Sequence, residues 1–272
     1  MNKEWIAQKY QPAVSTLPLE EYKGKSGNIL VISPHPDDDV LGAGGTMAET
    51  SAQGRGVFSV YVTDGRGSPR KDQRITDEEM ASCRKKEALA SLKAIGAAGG
   101  FFLERRSQEL TGAGGAEARE ELKQIVEIFR PTEVYLPAPY ERHKTHQLCT
   151  ALTLDVLRIT GGWPLEVFGY SLWGCFWGGK KRIVRDIGSV IRKKVEAVLA
   201  HASQIEYKNY HQGILGKNNC EAVFLESHEI QKASFVEIFL DLGELLTRKD
   251  LSLKAFTQED LEIFQNAYLP VL

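Results

Sequence analysis

Two kinds of segment alternate along this chain. Asn28–Ile32 is a short, continuous apolar run rich in β-branched residues, and 57–62, 101–103, 133–136 and 166–172 are also strand-like. Such runs predict strands buried on both faces. Longer segments with helical spacing predict helices over about 39–52, 76–95, 116–129, 145–157 and 187–200. The punctuation agrees. Thr76 followed by Glu79 is a capping box, Gly96 is placed to close that helix, and Pro131 stops the next one. Strand, helix, strand in repeated order means crossover units. The expected fold is therefore α/β and Rossmann-like, three layers around a mainly parallel sheet.

Two of the strands end in proline-rich loops, at Ser33-Pro34-His35-Pro36 and Pro137-Ala138-Pro139. In open parallel sheets, ligands bind beyond the carboxyl ends of the strands. Residues of these two loops can therefore converge, although they lie about a hundred positions apart. The C-terminal third is harder to read, with Thr257-Gln258-Glu259-Asp260 suited to cap a last helix before Pro270. Neither a linker nor an internal repeat interrupts the sequence. One domain over 1–272 is expected, with a core at about 28–225 and a C-terminal extension at 226–272.

Composition narrows the class. The 272 residues carry a formal net charge of -2, with 42% hydrophobic and 26% charged residues, an ordinary globular balance. No basic excess points to nucleic acid. No apolar run approaches the roughly 20 residues of a membrane span, and Met1–Gln11 lacks the apolar core of a signal peptide. A cytoplasmic protein is expected, acting on a small molecule, with oligomerisation left open. Cys83, Cys149, Cys175 and Cys220 are scattered and form no CxxC pair, so reduced packing cysteines are expected.

The chemistry-bearing residues gather in the loops. His35 and Asp38 are three apart at a strand end, and His143 and His146 are three apart at a helix start. Two histidines and a carboxylate, with water completing the shell, form an open catalytic zinc set that needs no thiolate. The same residues have plainer uses. A histidine after a strand is commonly structural, and Asp37, Asp38 and Asp39 suit a helix N-terminus. Three adjacent carboxylates repel one another unless a cation or a proton relieves them. Gly42-Ala43-Gly44-Gly45 fails the dinucleotide spacing, because Met47 fills the last glycine position. These glycines are expected to let a helix approach the sheet. The aromatic stretch Trp163, Phe168, Tyr170, Trp173, Phe176 and Trp177 suits core packing, or a platform for a sugar ring.

Pro34-His35-Pro36-Asp37-Asp38-Asp39, directly after Ile29–Ile32, resembles the HPDDE-type signature of the PIG-L/LmbE-like de-N-acetylases. The resemblance continues through Leu41–Thr46, Thr63-Asp64-Gly65, the helix carrying Arg84 and Glu87, and His143-Lys144-Thr145-His146. Ser203-Gln204 and Glu221–Phe224 are a weaker echo. It spans about 28–225 and implies an LmbE-like fold and hydrolysis of an N-acetyl group on an N-acetylglucosamine-type conjugate. It implies that His35, Asp38 and His146 bind Zn2+, with other divalent metals as alternatives. Asp37 would be the general base. His143 would be the cationic partner of the reacting carbonyl or the acid for the leaving amine. Asp64, Arg66 and Trp173 are the expected substrate contacts.

There are three departures from the family pattern. Asp39 stands where glutamate is commoner, which predicts a lost contact behind the ligands. Lys144 and Thr145 replace the middle pair of HPDH, so His143 needs another group on its far nitrogen. Arg66 replaces the acid of a TxGE-type loop. These departures keep two alternatives open: a non-catalytic metal-binding or scaffold protein, and a hydrolase of another acyl amide, such as an amino-sugar antibiotic precursor.

Overall fold

The computed structural model describes residues 3–13, 22, 27–174, 182–225 and 232–247. In chain order the elements are α1 (Lys3–Lys9), β1 (Tyr10–Pro12), β2 (Ile29–Ser33), α2 (Asp38–Ala52), β3 (Val57–Thr63), α3 (Asp77–Ile95) and β4 (Gly99–Arg105). Then follow α4 (Ala113–Phe129), β5 (Glu133–Pro137), α5 (Lys144–Thr160), β6 (Glu166–Tyr170), β7 (Arg182–Asp186), α6 (Ile191–Leu199) and α7 (Ala202–Ile205). The last are α8 (Tyr210–Phe224), β8 (Val236–Asp241) and α9 (Gly243–Thr247).

The strands form one sheet in the order β1-β4-β3-β2-β5-β6-β8-β7. From β4 to β6 all neighbours are parallel. Because strand side chains alternate, β2 and β3 feed two cores. Leu30, Ile32, Phe58 and Val60 pack with Leu122, Ile125 and Phe129 of α4 and Leu148 and Leu152 of α5. Ile29, Val31, Val57 and Tyr61 pack on the opposite face with Val40 and Met47 of α2, Leu92 and Ile95 of α3, and Val198 of α6. The three-layer α/β expectation holds, and the apolar runs are continuous because both faces are covered.

The antiparallel edges were not foreseen. β1 is three residues long, carries Pro12, and pairs with β4 at the sheet edge. β8 lies between β6 and β7 and is antiparallel to both. It comes from the stretch read as an extension, and its register depends on partners about 50 to 70 positions earlier. The helix expected from 187 begins at Ile191, because the Ile187 amide donates to Phe235 O instead. The capping box at Thr76 and Glu79 and the Gly96 cap form as expected. The helix proposed at 257–270, with Phe176 and Trp177, lies outside the described residues.

α2, which begins at Asp38, is held close to the sheet. A β-carbon on Gly42 would lie 2.3 Å from the Tyr170 ring, so only glycine lets the helix sit this near the sheet. The helix kinks at Ala43 (φ -133, ψ 15). Beyond the kink, the amides of Gly45 and Thr46 donate to the Glu237 carboxylate of β8 at 2.8 Å each. Lys194 Nζ donates to the same carboxylate at 2.7 Å and to Asn218 Oδ1 at 2.9 Å, fully buried. The late strand thus anchors the middle of the early helix. Among the described residues, no helix is long and apolar enough to cross a membrane.

Candidate active site

The first loop, between β2 and α2, is tied down at every residue. Ser33 Oγ donates to His35 O at 2.6 Å and accepts the Asp39 amide at 3.1 Å. Pro34 O accepts both the amide and the hydroxyl of Thr63, at the end of β3. Pro36 O accepts Arg84 Nη2 at 2.6 Å. Asp37 has φ 157 and ψ -24, a conformation that residues with side chains rarely adopt. It occupies the N-cap position of α2, yet its side chain makes no capping hydrogen bond.

The three adjacent carboxylates separate into three environments. Asp37 Oδ1 meets Arg84 Nη2 at 2.7 Å. Asp38 Oδ2 accepts the His35 amide at 2.8 Å and faces two imidazoles. Asp39 accepts Ser59 Oγ at 2.6 Å and Tyr61 OH at 2.7 Å, both from β3. The lost contact expected at Asp39 is therefore not found: its shorter side chain is fully satisfied by hydroxyls. Relief of the charge repulsion is divided among a guanidinium, two histidines and those hydroxyls, so a bound cation is not its sole source.

The titration pattern follows this division. Burial pushes Asp37 up to about 7, Arg84 opposes the rise, and Asp38 and Asp39 add to it. Burial also raises Asp38, but His146 and His35 outweigh it and hold that carboxyl well below its ordinary value. Burial raises Asp39 against the hydroxyls that favour its charge. Burial lowers His146, yet Asp38 and Glu141 overcome this and carry it up to about 10.

The second loop, between β5 and α5, brings in the other histidines because β2 and β5 are sheet neighbours. His35 Nδ1 lies 3.0 Å and His146 Nε2 lies 3.2 Å from Asp38 Oδ2, and these ligand atoms all fall within 4.8 Å of one another. Ligands of one tetrahedral zinc stand ~3.4 Å apart, given bond lengths of about 2.1 Å. The donor set of two imidazoles and one carboxylate therefore fits such an ion with small side-chain shifts. His143 stands beside this group, its ring centroid 5.0 Å from those of His35 and His146.

His143 differs from expectation. Among the described residues, no hydrogen bond holds its ring. Burial, then His35 and His146, push its pKa below the ordinary value, so the neutral imidazole is favoured. Thr145, where the family pattern has aspartate, is buried and offers no charge.

The cavity above these groups has a volume of about 1040 Å³ and includes all five predicted chemical residues in its lining. Asp64, Arg66 and Trp173 line it as well. Asp64 Oδ2 accepts Arg66 Nε at 2.7 Å, and Glu78 accepts Arg66 Nη1 at 3.0 Å, so Arg66 is held by two carboxylates. Trp173 is 53% exposed and Tyr207 48% exposed. Both contribute to the cavity wall, as do Lys208 and Lys217. Of the aromatic stretch, Phe168 and Tyr170 are core, while Trp163 is half-buried and donates to Pro131 O.

Sequence reasoning named Arg84 only as part of the resemblance, with no role, and missed Glu141. Arg84 is 3% exposed and grips Ser68 Oγ as well as Asp37 and Pro36 O. It passes over Gly65 (φ 67), where a β-carbon would lie 2.7 Å from Nη1. The three adjacent aspartates were the available signal that a buried cation must exist. Glu141 is 2% exposed and sits behind His146. Nothing in its sequence position distinguishes it from a solvated loop acid.

At the carboxyl edge of this α/β sheet a two-histidine, one-carboxylate cluster with the geometry to hold a metal ion stands beside the buried Asp37. Comparison with known proteins adds to this geometry. Residues 30–157 match the family model described as PIG-L: GlcNAc-PI de-N-acetylase, so this segment is similar to that family. It is 28% identical over 189 residues to the diacetylchitobiose deacetylase of Thermococcus kodakarensis, covering 65% of this chain and 69% of that protein. The fold resembles that of N,N'-diacetylchitobiose deacetylase from Pyrococcus horikoshii, with TM-score 0.66, 24% identity, and coverage of 82% of this chain and 86% of that one. It equally resembles GalB, the 4-carboxy-2-hydroxymuconate hydratase of Pseudomonas putida, with TM-score 0.66, 20% identity, and coverage of 79% and 95%. The fold alone thus does not fix the reaction.

Proposed function

We propose that this protein hydrolyses the N-acetyl group of an N-acetylglucosamine-type conjugate, with Zn2+ held by His35, Asp38 and His146. The observation that carries this reading is Asp37, a buried carboxylate beside the ligand cluster that neither joins it nor caps its helix. A scaffold or purely structural metal site has no use for such a group. Zinc would supply a Lewis acid that polarises the acetamide carbonyl and makes water acidic enough to react near neutral pH.

The chain's own residues do the proton work. Asp37 accepts the proton of the attacking water as the oxygen bonds to the acetyl carbon. Arg84 holds its carboxylate in line, and a pKa near neutrality lets the same group later donate. His143, as a neutral imidazole, donates one N–H to the developing oxyanion. The carbon–nitrogen bond then breaks, the proton on Asp37 passes to the departing amine, and acetate is released. Asp64, Arg66 and Trp173 form the substrate-facing wall, with Trp173 offering a ring face to a sugar.

The size of the cavity favours a second, narrower reading of the substrate. A volume of about 1040 Å³ lies at the upper end of ordinary ligand pockets, room for more than one acetylated sugar ring. A larger conjugate, including an amino sugar on an apolar aglycone, fits that space. The test is acetate release across N-acetylated mono-, di- and aryl-linked amino sugars, with zinc measured on the same sample. Release from at least one of them, dependent on zinc, is expected. Zinc-loaded protein that frees acetate from none of them would rule the reading out.

A further inference from the structure

We propose that Glu141 is the positioning residue for His146: it selects the tautomer that leaves Nε2 free for the metal and fixes the angle of the ring. This rests on the zinc reading above and concerns a residue outside the resemblance motifs.

A ligand histidine can turn only one nitrogen to an ion. The other keeps its hydrogen and needs an acceptor, which sets tautomer and orientation together. His146 Nε2 faces Asp38 Oδ2, so Nδ1 is the far nitrogen. His146 is 1% exposed, and its Nδ1 makes no hydrogen bond. Glu141 Oε2 stands 3.7 Å away, equally buried and equally without a hydrogen bond. A buried donor and a buried charged acceptor thus face each other about 0.7 Å beyond hydrogen-bond contact.

Glu141 is held so that the ring must come to it. Its Oε1 accepts the Leu172 amide at 2.7 Å. Its main-chain oxygen accepts Gln147 Nε2 at 2.7 Å, and its amide donates to Ala138 O at 3.0 Å. The carboxylate therefore cannot swing to solvent without breaking the loop. The arrangement also accounts for the altered HKTH motif. Thr145 brings no carboxylate to this turn, but Glu141 does, and it serves the ligand His146 rather than His143. Metal ligation is thereby reinforced while His143 is left unanchored. The Leu172 contact further joins the ligand to the segment that carries Trp173 at the cavity wall.

The test uses the full chain. Zinc affinity is measured by chelator competition for wild type and Glu141→Gln, which keeps an oxygen for the Leu172 amide but removes the charge. A loss of about 10–100-fold is expected, with the melting temperature of the metal-free protein unchanged. Nitrogen-15 NMR of zinc-loaded wild type should show His146 protonated on Nδ1 and unprotonated on Nε2, a readout that requires no variant to fold. Affinity of the variant within twofold of wild type, or ligation through Nδ1, overturns this proposal alone. Wild type that binds no zinc overturns it together with the zinc reading, whether or not acetate is released.

Discussion

The two loops that meet at the carboxyl edge of the sheet are built on opposite principles. Between β2 and α2, every carboxylate has a fixed partner and each carbonyl from Pro34 to Pro36 accepts a hydrogen bond. Where β5 leads into the first turn of α5, His146 is buried against Asp38 and Glu141, but the ring of His143 has no hydrogen-bond partner among the described residues. Under the proposed function, the difference separates two tasks. A base and a ligand set must be preorganised, because small misplacements weaken both ligation and proton transfer. A group that meets a changing carbonyl can tolerate movement and find its partner in the substrate.

The sharpest way to break this contrast is within the second loop. His146→Ala should lose bound zinc and reduce acetate release to background. His143→Ala should keep zinc and lower turnover about 10²–10³-fold, the range for one oxyanion donor. Metal analysis and turnover on both variants decide it, and equal metal loss would make both histidines ligands.

Asp37→Asn probes the first loop. Turnover should fall at least ~100-fold with zinc content and fold preserved. Near-normal turnover in a zinc-loaded variant would remove Asp37 from the chemistry. Asp39→Ala tests whether the rigidity of this loop is structural. Ser59 Oγ and Tyr61 OH would be left buried without an acceptor, for a loss of about 1–3 kcal/mol in urea unfolding. Unchanged stability would mean that these hydroxyls re-pair freely.

The smallest effect concerns His201, which is 1% exposed and within electrostatic reach of Arg84. Burial, with Arg84 adding to it, pushes its pKa from 6.5 down to about 3. The folded value is depressed, so the unfolded chain binds the extra proton between those limits. The contribution to stability is present above pH 6.5 and lost as pH falls toward 3. His201→Gln should flatten the acid side of the urea-midpoint profile relative to wild type. Parallel profiles would show that His201 already gains a compensating partner.

Much of the candidate cluster was legible because its residues are local. His35, Asp37 and Asp38 lie within four positions after an unambiguous apolar run, and strand-end chemistry in a parallel sheet is placed by topology. What could not be read are partners across elements. Arg84 lies 47 positions after Asp37, on the exposed-looking helix α3, and only folding buries it. Nothing in the sequence around Glu141 marked it as buried behind a histidine. His143 was expected to be cationic and supported, and its neutral, unanchored state depends on which imidazoles surround it.

By itself the sequence determined the parallel core, the helix caps, the loops that carry the chemistry and the residue types they present. These follow from local periodicity, proline and glycine stereochemistry, and the ligand preferences of a divalent metal. Only the tertiary structure decided how three adjacent aspartates would differ. It gave Asp37 a guanidinium, Asp38 two imidazoles and Asp39 a pair of hydroxyls. The same carboxyl group titrates differently in each place, because desolvation and the nearest charge set its pKa, and both come from residues distant in the chain.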